Sequence, residues 1–305
     1  MDGVLECGGD TRLRRAYALL SKQALLHNIR CIRQQAPGTK IIAMVKANAF
    51  GHGIRSCSER LSAVVDAFGV AHIDEAIALR ERGITQPIFM MEGVYSIDEL
   101  RLLQAYQGTL VCHDEMQLTW LEKYLEMPTA VWVKVDTGMG RLGFVPEQVT
   151  QVRMRLAAIP AVQQPVGWLT HLACASNPDH PLNAQQCQRF AALLADSNAP
   201  ASVCNSAGIW HFPQAHYTHV RPGLACYGVH PGARSVGLRP VMTLKSRLIA
   251  VRQIAAGHSI GYDAEYVCQR AMRVGVVALG YGDGYPRDVD ARAYVLLAGQ
   301  RCPLV

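Results

Sequence analysis

From Ser21 to Val220 the hydrophobic and polar positions repeat one pattern: a short run rich in Val, Ile and Ala, a loop, then an amphipathic stretch of helical length. The apolar runs Ile41–Asn48, Ala67–Ala71, Pro87–Glu92, Thr109–His113, Ala130–Asp136, Val166–Ala173, Ala201–Asn205 and Thr218–Arg221 read as strands. Helix starts stand between them, such as Ser96 and Asp98 before Leu100, Leu102 and Leu103, and Pro146-Glu147 before Val149, Val152 and Met154. Strand and helix in alternation predict an α/β fold with parallel strands and helical crossovers. Eight such units suit a closed (β/α)8 barrel, and an open doubly wound sheet has the same local alternation. After the Pro231-Gly232 turn the rhythm changes. Thr243–Gln253, Met272–Leu279 and Ala293–Ala298 read as strands with no helix between them, which predicts a barrel over 1–234 and a mainly β domain over 235–305. The apolar residues Cys302 to Val305 read as the start of a further strand, so the second domain is expected to be incomplete.

Composition narrows the function classes. In a chain of 305 residues, 50% are hydrophobic and 18% charged, as in an ordinary soluble enzyme with a sizeable core. The net charge of +6 is spread without a basic run or a basic and aromatic stripe, so the expected partners are small anions and not nucleic acid. Ten cysteines stand singly, among them Cys7, Cys31, Cys57 and Cys112, which reads as reduced thiols in place of disulfides or a zinc site. Met1 to Arg15 has no apolar signal-sequence core and no later run is long enough to span a membrane, so a cytoplasmic protein is expected. His211, His216 and His219 lack the carboxylates or cysteines that would complete a metal site, so no metal is expected.

Barrel enzymes carry their reactive groups where strands end, so the polar residues closing each apolar run are the candidates. They are Lys46, then Lys134 and Asp136 with Arg141 just beyond, His171, Asn205 with Ser206, and Arg221. A lysine buried at a strand end has its pKa lowered toward the nucleophilic range that Schiff-base chemistry requires, whereas a rim lysine simply extends to water. Gly138, Gly140 and Gly143 read as a turn or a weak phosphate loop. His171 by its surroundings reads as a core histidine. Ser206 offers a hydroxyl, and Gly223 with Leu224 offers backbone N–H groups where glycine permits close approach. Tyr262, and Tyr281 with Arg287 in the Gly280–Arg287 segment, sit in motifs that locally read as packing and turn residues.

Five segments in order resemble alanine racemases. They are Ala43-Met44-Val45-Lys46-Ala47-Asn48-Ala49-Phe50-Gly51-His52-Gly53, Lys134 to Gly143, Asn205-Ser206-Ala207 with Arg221-Pro222-Gly223-Leu224, Gly257 to Asp263, and Gly280 to Arg287. The resemblance implies a (β/α)8 TIM-type barrel followed by a β domain. It implies pyridoxal 5′-phosphate carried on Lys46, which then serves as one of two catalytic bases. Arg141 would lie near the cofactor's phenolic oxygen and the substrate carboxylate, with Lys134 as a carbamylated lysine orienting it. His171 would pack against the pyridine ring and Arg221 would face its nitrogen, while Ser206, Gly223 and Leu224 would hold the phosphate and Asn205 would be a further cofactor-binding residue. Tyr262 would be the second base, reaching the other subunit of a homodimer, and Tyr281 with Arg287 would line the entrance. Phe50 stands where the family usually has a tyrosine that contacts the phosphate, and the family continues past the position of Val305 with a Met-Asp segment and a further tyrosine. The implied activity is the interconversion of L- and D-alanine for peptidoglycan. A serine or broad-specificity racemase, or a truncated cofactor-binding homologue of little activity, are the alternatives.

Overall fold

The computed structural model describes residues 15–195, 197–229, 237–290 and 292–305. Cys7, Met1 to Arg14, the Pro231-Gly232 turn and the boundary expected near residue 235 lie outside them. The chain divides into two compact units, one from Leu20 to Met242 and one that joins residues 15–19 to Thr243–Val305.

In the first unit eight parallel strands stand in chain order: Lys40–Met44, Ala67–Val70, Ile88–Met90, Thr109–Cys112, Thr129–Lys134, Val162–Leu169, Ala201–Ser202 and His219–Val220. The first pairs with the last through Lys40 opposite His219 and Ile41 opposite Val220, so the sheet is a closed barrel without a free edge. Alternation along each strand separates two apolar layers. Ile42 and Met44 join Ala67, Phe89, Val111, Trp132 and Leu169 in one cluster, while Ile41, Ala43 and Val45 join the larger cluster shared with the helices. The Trp132 indole takes the edges of Phe89 and His219 at 5.3 and 5.0 Å between centroids. Gly167 on the adjacent strand makes room for it, since a Cβ there would lie 2.2 Å from the indole carbons.

Crossover helices begin where the sequence places short polar side chains. Ser21, Ser96 and Asp114 each accept an amide of the first turn, from Ala24, Glu99 and Gln117. The helix Lys22–Gln35 buries Leu25, Ile29 and Ile32 at helical spacing. Several strands are shorter than their apolar runs. The first ends at Met44 and not Asn48, the sixth at Leu169 and not Ala173, and the seventh at Ser202 and not Asn205. The residues beyond leave the ladder to form the loops over the barrel mouth, where a regular strand would aim every second side chain away.

The second unit is built of paired strands. Leu248–Ile254 pairs antiparallel with Met272–Val277, Ser259–Ile260 with Tyr266–Val267, and Tyr294–Leu297 with Gln300–Pro303. The expected strand Thr243–Gln253 is two strands, Met242–Lys245 and Leu248–Ile254. Ala298 and Gly299, at φ 48° and 80°, turn the last hairpin, the conformation that a two-residue connection favours. Among the described residues, Cys268 is the one buried hydrophobic side chain of this unit, and Ile249, Val251 and Leu296 are exposed. No disulfide joins the described cysteines, and no described helix is long and apolar enough to cross a membrane.

Candidate active site

Lys46 begins a single turn, residues 46–50, directly after the first barrel strand. Ala47, Asn48, Ala49 and Phe50 all have φ between 52° and 56°, a left-handed turn made without glycine. Such a conformation costs about 1–2 kcal/mol for each L-residue, so the surroundings must enforce it. They do so through the Asn48 carboxamide oxygen, which accepts the Ile54 amide at 2.8 Å, and through Glu75, which accepts the Asn48 amide at 3.3 Å and the Ala71 amide at 2.9 Å. The Lys46 side chain is a third exposed and its Nζ lies 3.2 Å from Glu92 Oε1. The burial expected of a strand-end lysine is found at a different residue.

That residue is Lys134, the last of the fifth strand, which is 5% exposed and whose Nζ has no hydrogen-bond partner among the described residues. Burial, and then the charges of Arg221 and Arg141, push its pKa down to about 8, with Asp136 opposing. Asp136 organises the loop that carries Arg141: its carboxylate accepts the amides of Gly138, Met139 and Gly140 at 2.7–2.8 Å. Burial raises its pKa, but those bonds and Lys134 outweigh it and hold the carboxyl below its ordinary value. Gly143 closes the loop at φ 124°, and a Cβ there would meet the Asp136 nitrogen at 2.7 Å.

Arg221, just past the eighth strand, is 3% exposed. Its guanidinium donates to Ser202 Oγ at 2.5 Å, to the carbonyls of Thr170 and Val203, and across 3.4 Å to His171 Nδ1. Each of these acceptors is neutral, and burial brings the guanidinium down to about 10. His171 is pushed down to about 3, first by burial and then by Arg221, Lys134, Arg141 and Lys46, so it is an uncharged imidazole at neutral pH. Gln186 holds its backbone by donating to the His171 carbonyl at 2.9 Å and accepting the Ala173 amide at 2.9 Å.

Asn205 caps the short helix Ser206–His211 by accepting the Gly208 amide at 3.0 Å. Ser206 Oγ accepts the amides of Gly223 and Ala225 at 3.0 and 3.1 Å, which uses both its lone pairs and leaves its hydrogen to donate elsewhere. Gly223 and the half-exposed Leu224 open a 3-10 turn at the same place. The Phe50 ring lies against Gly223, where an added Cβ would come within 2.9 Å of it. Phe50 and His52 also pack on Tyr227, whose hydroxyl donates to the Met44 carbonyl at 3.0 Å.

Lys46, Lys134, Arg141, His171, Asn205, Ser206, Arg221, Gly223 and Leu224 thus belong to the barrel unit and lie at or past the C-terminal ends of its strands. Tyr262, Tyr281 and Arg287 belong to the second unit. Tyr262 is 76% and Tyr281 68% exposed, each opening a one-turn 3-10 helix. Glu92, Tyr95 and Glu75 escaped the sequence reading, although Glu92 closes the apolar run Pro87–Glu92 as Lys46 closes its own.

Comparison with known proteins gives a consistent result. Residues 20–231 match the family described as alanine racemase, N-terminal domain, and residues 241–305 match alanine racemase, C-terminal domain. The alanine racemase of Edwardsiella ictaluri (strain 93-146) is 43% identical over 300 residues, covering 96% of this chain and 82% of its own. The structure of alanine racemase from Acinetobacter baumannii superposes with a TM-score of 0.90 at 38% identity, over 96% of this chain and 83% of that one. The alanine racemase of Bartonella henselae, with covalently bound pyridoxal phosphate, superposes with a TM-score of 0.84 at 25% identity, over 94% and 82%.

Proposed function

This chain belongs to the alanine racemase family, and from that premise we propose that it interconverts L- and D-alanine with pyridoxal 5′-phosphate on Lys46, by a two-base mechanism. The observation that carries the reading is the pair of buried basic side chains, Arg221 and Lys134, beside an uncharged His171 at the barrel mouth. Such a site fits an anionic ligand with a flat ring. A lysine Nζ without a partner awaits an acceptor, and the hydroxyl hydrogen of Ser206 beside Gly223 suits a phosphate oxygen.

The cofactor, when bound, supplies an aldehyde for amine exchange and a ring that spreads the electron pair left on Cα when its proton departs. The protein's residues do the rest. Ser206, with the Gly223-Leu224 backbone, would hold the phosphate, Asn205 fixes that helix start, and His171 would pack on the ring. Phe50 fills the place beside Gly223 with an apolar ring, so no hydroxyl comes from that position. Arg221 would stand toward the ring nitrogen and, as a buried cation, would disfavour a proton there, which would favour return of the substrate proton over side reactions. Arg141 binds the substrate carboxylate. Lys134, its amine deprotonated in part near neutrality, is the carbamylation site: the amine adds to carbon dioxide, loses a proton and becomes an anion facing Arg141. Lys46 exchanges the Cα proton on one face and Tyr262 of the partner subunit on the other, while Tyr281 narrows access. The product would be D-alanine for peptidoglycan, made in the cytoplasm by a homodimer.

Purified chain, incubated with L-alanine, should form D-alanine and hold a cofactor absorbance that borohydride fixes. Lys46→Ala should lose that absorbance, and its persistence would refute the assignment. L-serine turned over as fast as alanine would favour the broad-specificity reading, and cofactor bound without turnover would favour a weakly active homologue. Mixing Lys46→Ala chains with Tyr262→Phe chains should restore part of the activity, because a mixed dimer holds one site with both bases intact. Intact mixed dimers without recovery would exclude the shared site.

A further inference from the structure

Lys46 has a partner for which the two-base scheme has no use. Glu92 Oε1 lies 3.2 Å from its Nζ, and Glu92 Oε2 accepts the Tyr95 hydroxyl at 3.0 Å. The carboxylate stands on a braced backbone. Glu92 follows the third barrel strand, and its carbonyl meets His113 Nε2 at 3.0 Å and the buried Gln117 side chain at 3.4 Å. Gln117 also donates to the Val94 carbonyl at 3.1 Å and accepts the His113 amide at 3.1 Å, so two successive loops of the mouth are tied together beneath the pair. Tyr95 is fixed at its own amide by Glu99 at 2.8 Å. Both oxygens of Glu92 are therefore committed, one to Lys46 and one to a phenol.

The charged neighbours divide by side. His72 and Tyr95 flank Glu92 from the solvent edge, with rings 6.0 Å apart, and Glu75 holds the turn that follows Lys46. On the barrel side stand His171 and, acting on the same ring, Arg141, Lys134 and Arg221. Between these two sides, Glu92 is the carboxylate in contact with the Lys46 Nζ. Burial pulls the Glu92 carboxyl upward, but the hydrogen bonds from Lys46 and Tyr95 outweigh it and hold it below the ordinary carboxylate range, so it is ionised at neutral pH.

We propose that Glu92, steadied by Tyr95, is a positioning residue that receives the Lys46 ε-ammonium whenever the lysine is not bonded to cofactor, and so governs how readily the amine becomes available. The proposal rests on the reading that Lys46 carries pyridoxal phosphate. In capture, the ammonium first gives a proton to solvent. The neutral amine then adds to the cofactor aldehyde, and one water leaves as the carbon–nitrogen double bond forms.

The test uses the full chain stripped of cofactor, mixed with pyridoxal 5′-phosphate, with the rate of appearance of bound-cofactor absorbance followed against pH. Glu92→Gln should speed capture about two- to fivefold near about pH 7, the size of a partly exposed ion pair, and the difference from the wild type should shrink as pH rises past about 10.4, the ordinary lysine value. Tyr95→Phe should act in the opposite sense near neutrality, because a carboxylate relieved of the phenol holds the ammonium more tightly. A merely structural role would move both variants in the same direction at every pH, and that result would overturn the proposal, as would profiles that superimpose on the wild type. Should Glu92→Gln fail to fold, the direction of the Tyr95→Phe change decides alone. A wild-type chain that captures no cofactor at Lys46 would sink both this inference and the proposed function. Wild-type capture with unchanged variant profiles would sink this inference only.

Discussion

Two residues carry most of the site's electrostatic logic, and both are legible only by burial. His171 has a pKa of about 3 in the fold against an ordinary value near 6.5, so the unfolded chain takes up a proton first as pH falls. Its contribution to stability is therefore present above about pH 6.5 and is lost progressively as pH drops toward about 3. The melting temperature of the wild type should accordingly fall more steeply between about pH 6.5 and 4 than that of His171→Gln, and parallel curves would contradict the burial of a neutral ring. Arg221 is the second. Replacing it by methionine leaves Ser202 Oγ and the Thr170 and Val203 carbonyls without their donor, a loss of about 2–4 kcal/mol in urea unfolding. A loss below about 1 kcal/mol would mean that those groups find other partners.

At the scale of elements, the barrel strands deliver their chemistry by ending early. Lys46, His171 and Asn205 lie past strand ends that the apolar pattern overran, because apolar spacing does not distinguish the last laddered residue from the first loop residue. The left-handed turn Ala47–Phe50 had no sequence signal beyond Asn48, since alanine and phenylalanine do not ordinarily enter that region. Its strain is testable. Ala47 is exposed at φ 52°, so Ala47→Gly removes a steric penalty without removing a contact and should stabilise the chain by about 0.5–1 kcal/mol in thermal unfolding. A destabilised Ala47→Gly would mean that the turn is not strained at this position.

For the whole molecule, the two units differ in how much they bury. The barrel unit holds the two apolar clusters, whereas the second unit exposes Ile249, Val251 and Leu296 on short paired strands. Paired strands with little apolar cover open readily. In hydrogen exchange on dilute full-length chain, amides of Leu248–Ile254 should exchange faster than those of Thr129–Lys134, and protection of the former should grow with protein concentration if copies associate there. Equal protection at every concentration would show that this unit is stable by itself.

The alternation of apolar runs with amphipathic stretches was enough to determine strands and helical crossovers, because burial on both sides of a parallel strand leaves a mark on every residue of it. The motifs around Lys46 and Lys134 were enough to indicate the family. Closure of the sheet was decided only by the pairing of Lys40 with His219 across the length of the barrel, which no local pattern encodes. The division of labour between the lysines was decided there too. Lys46 is paired and a third exposed, while Lys134 is buried with its amine unpartnered among the described residues, because the distance from Glu92 and the closeness of Arg221 belong to the tertiary structure and not to either lysine's neighbours in the chain.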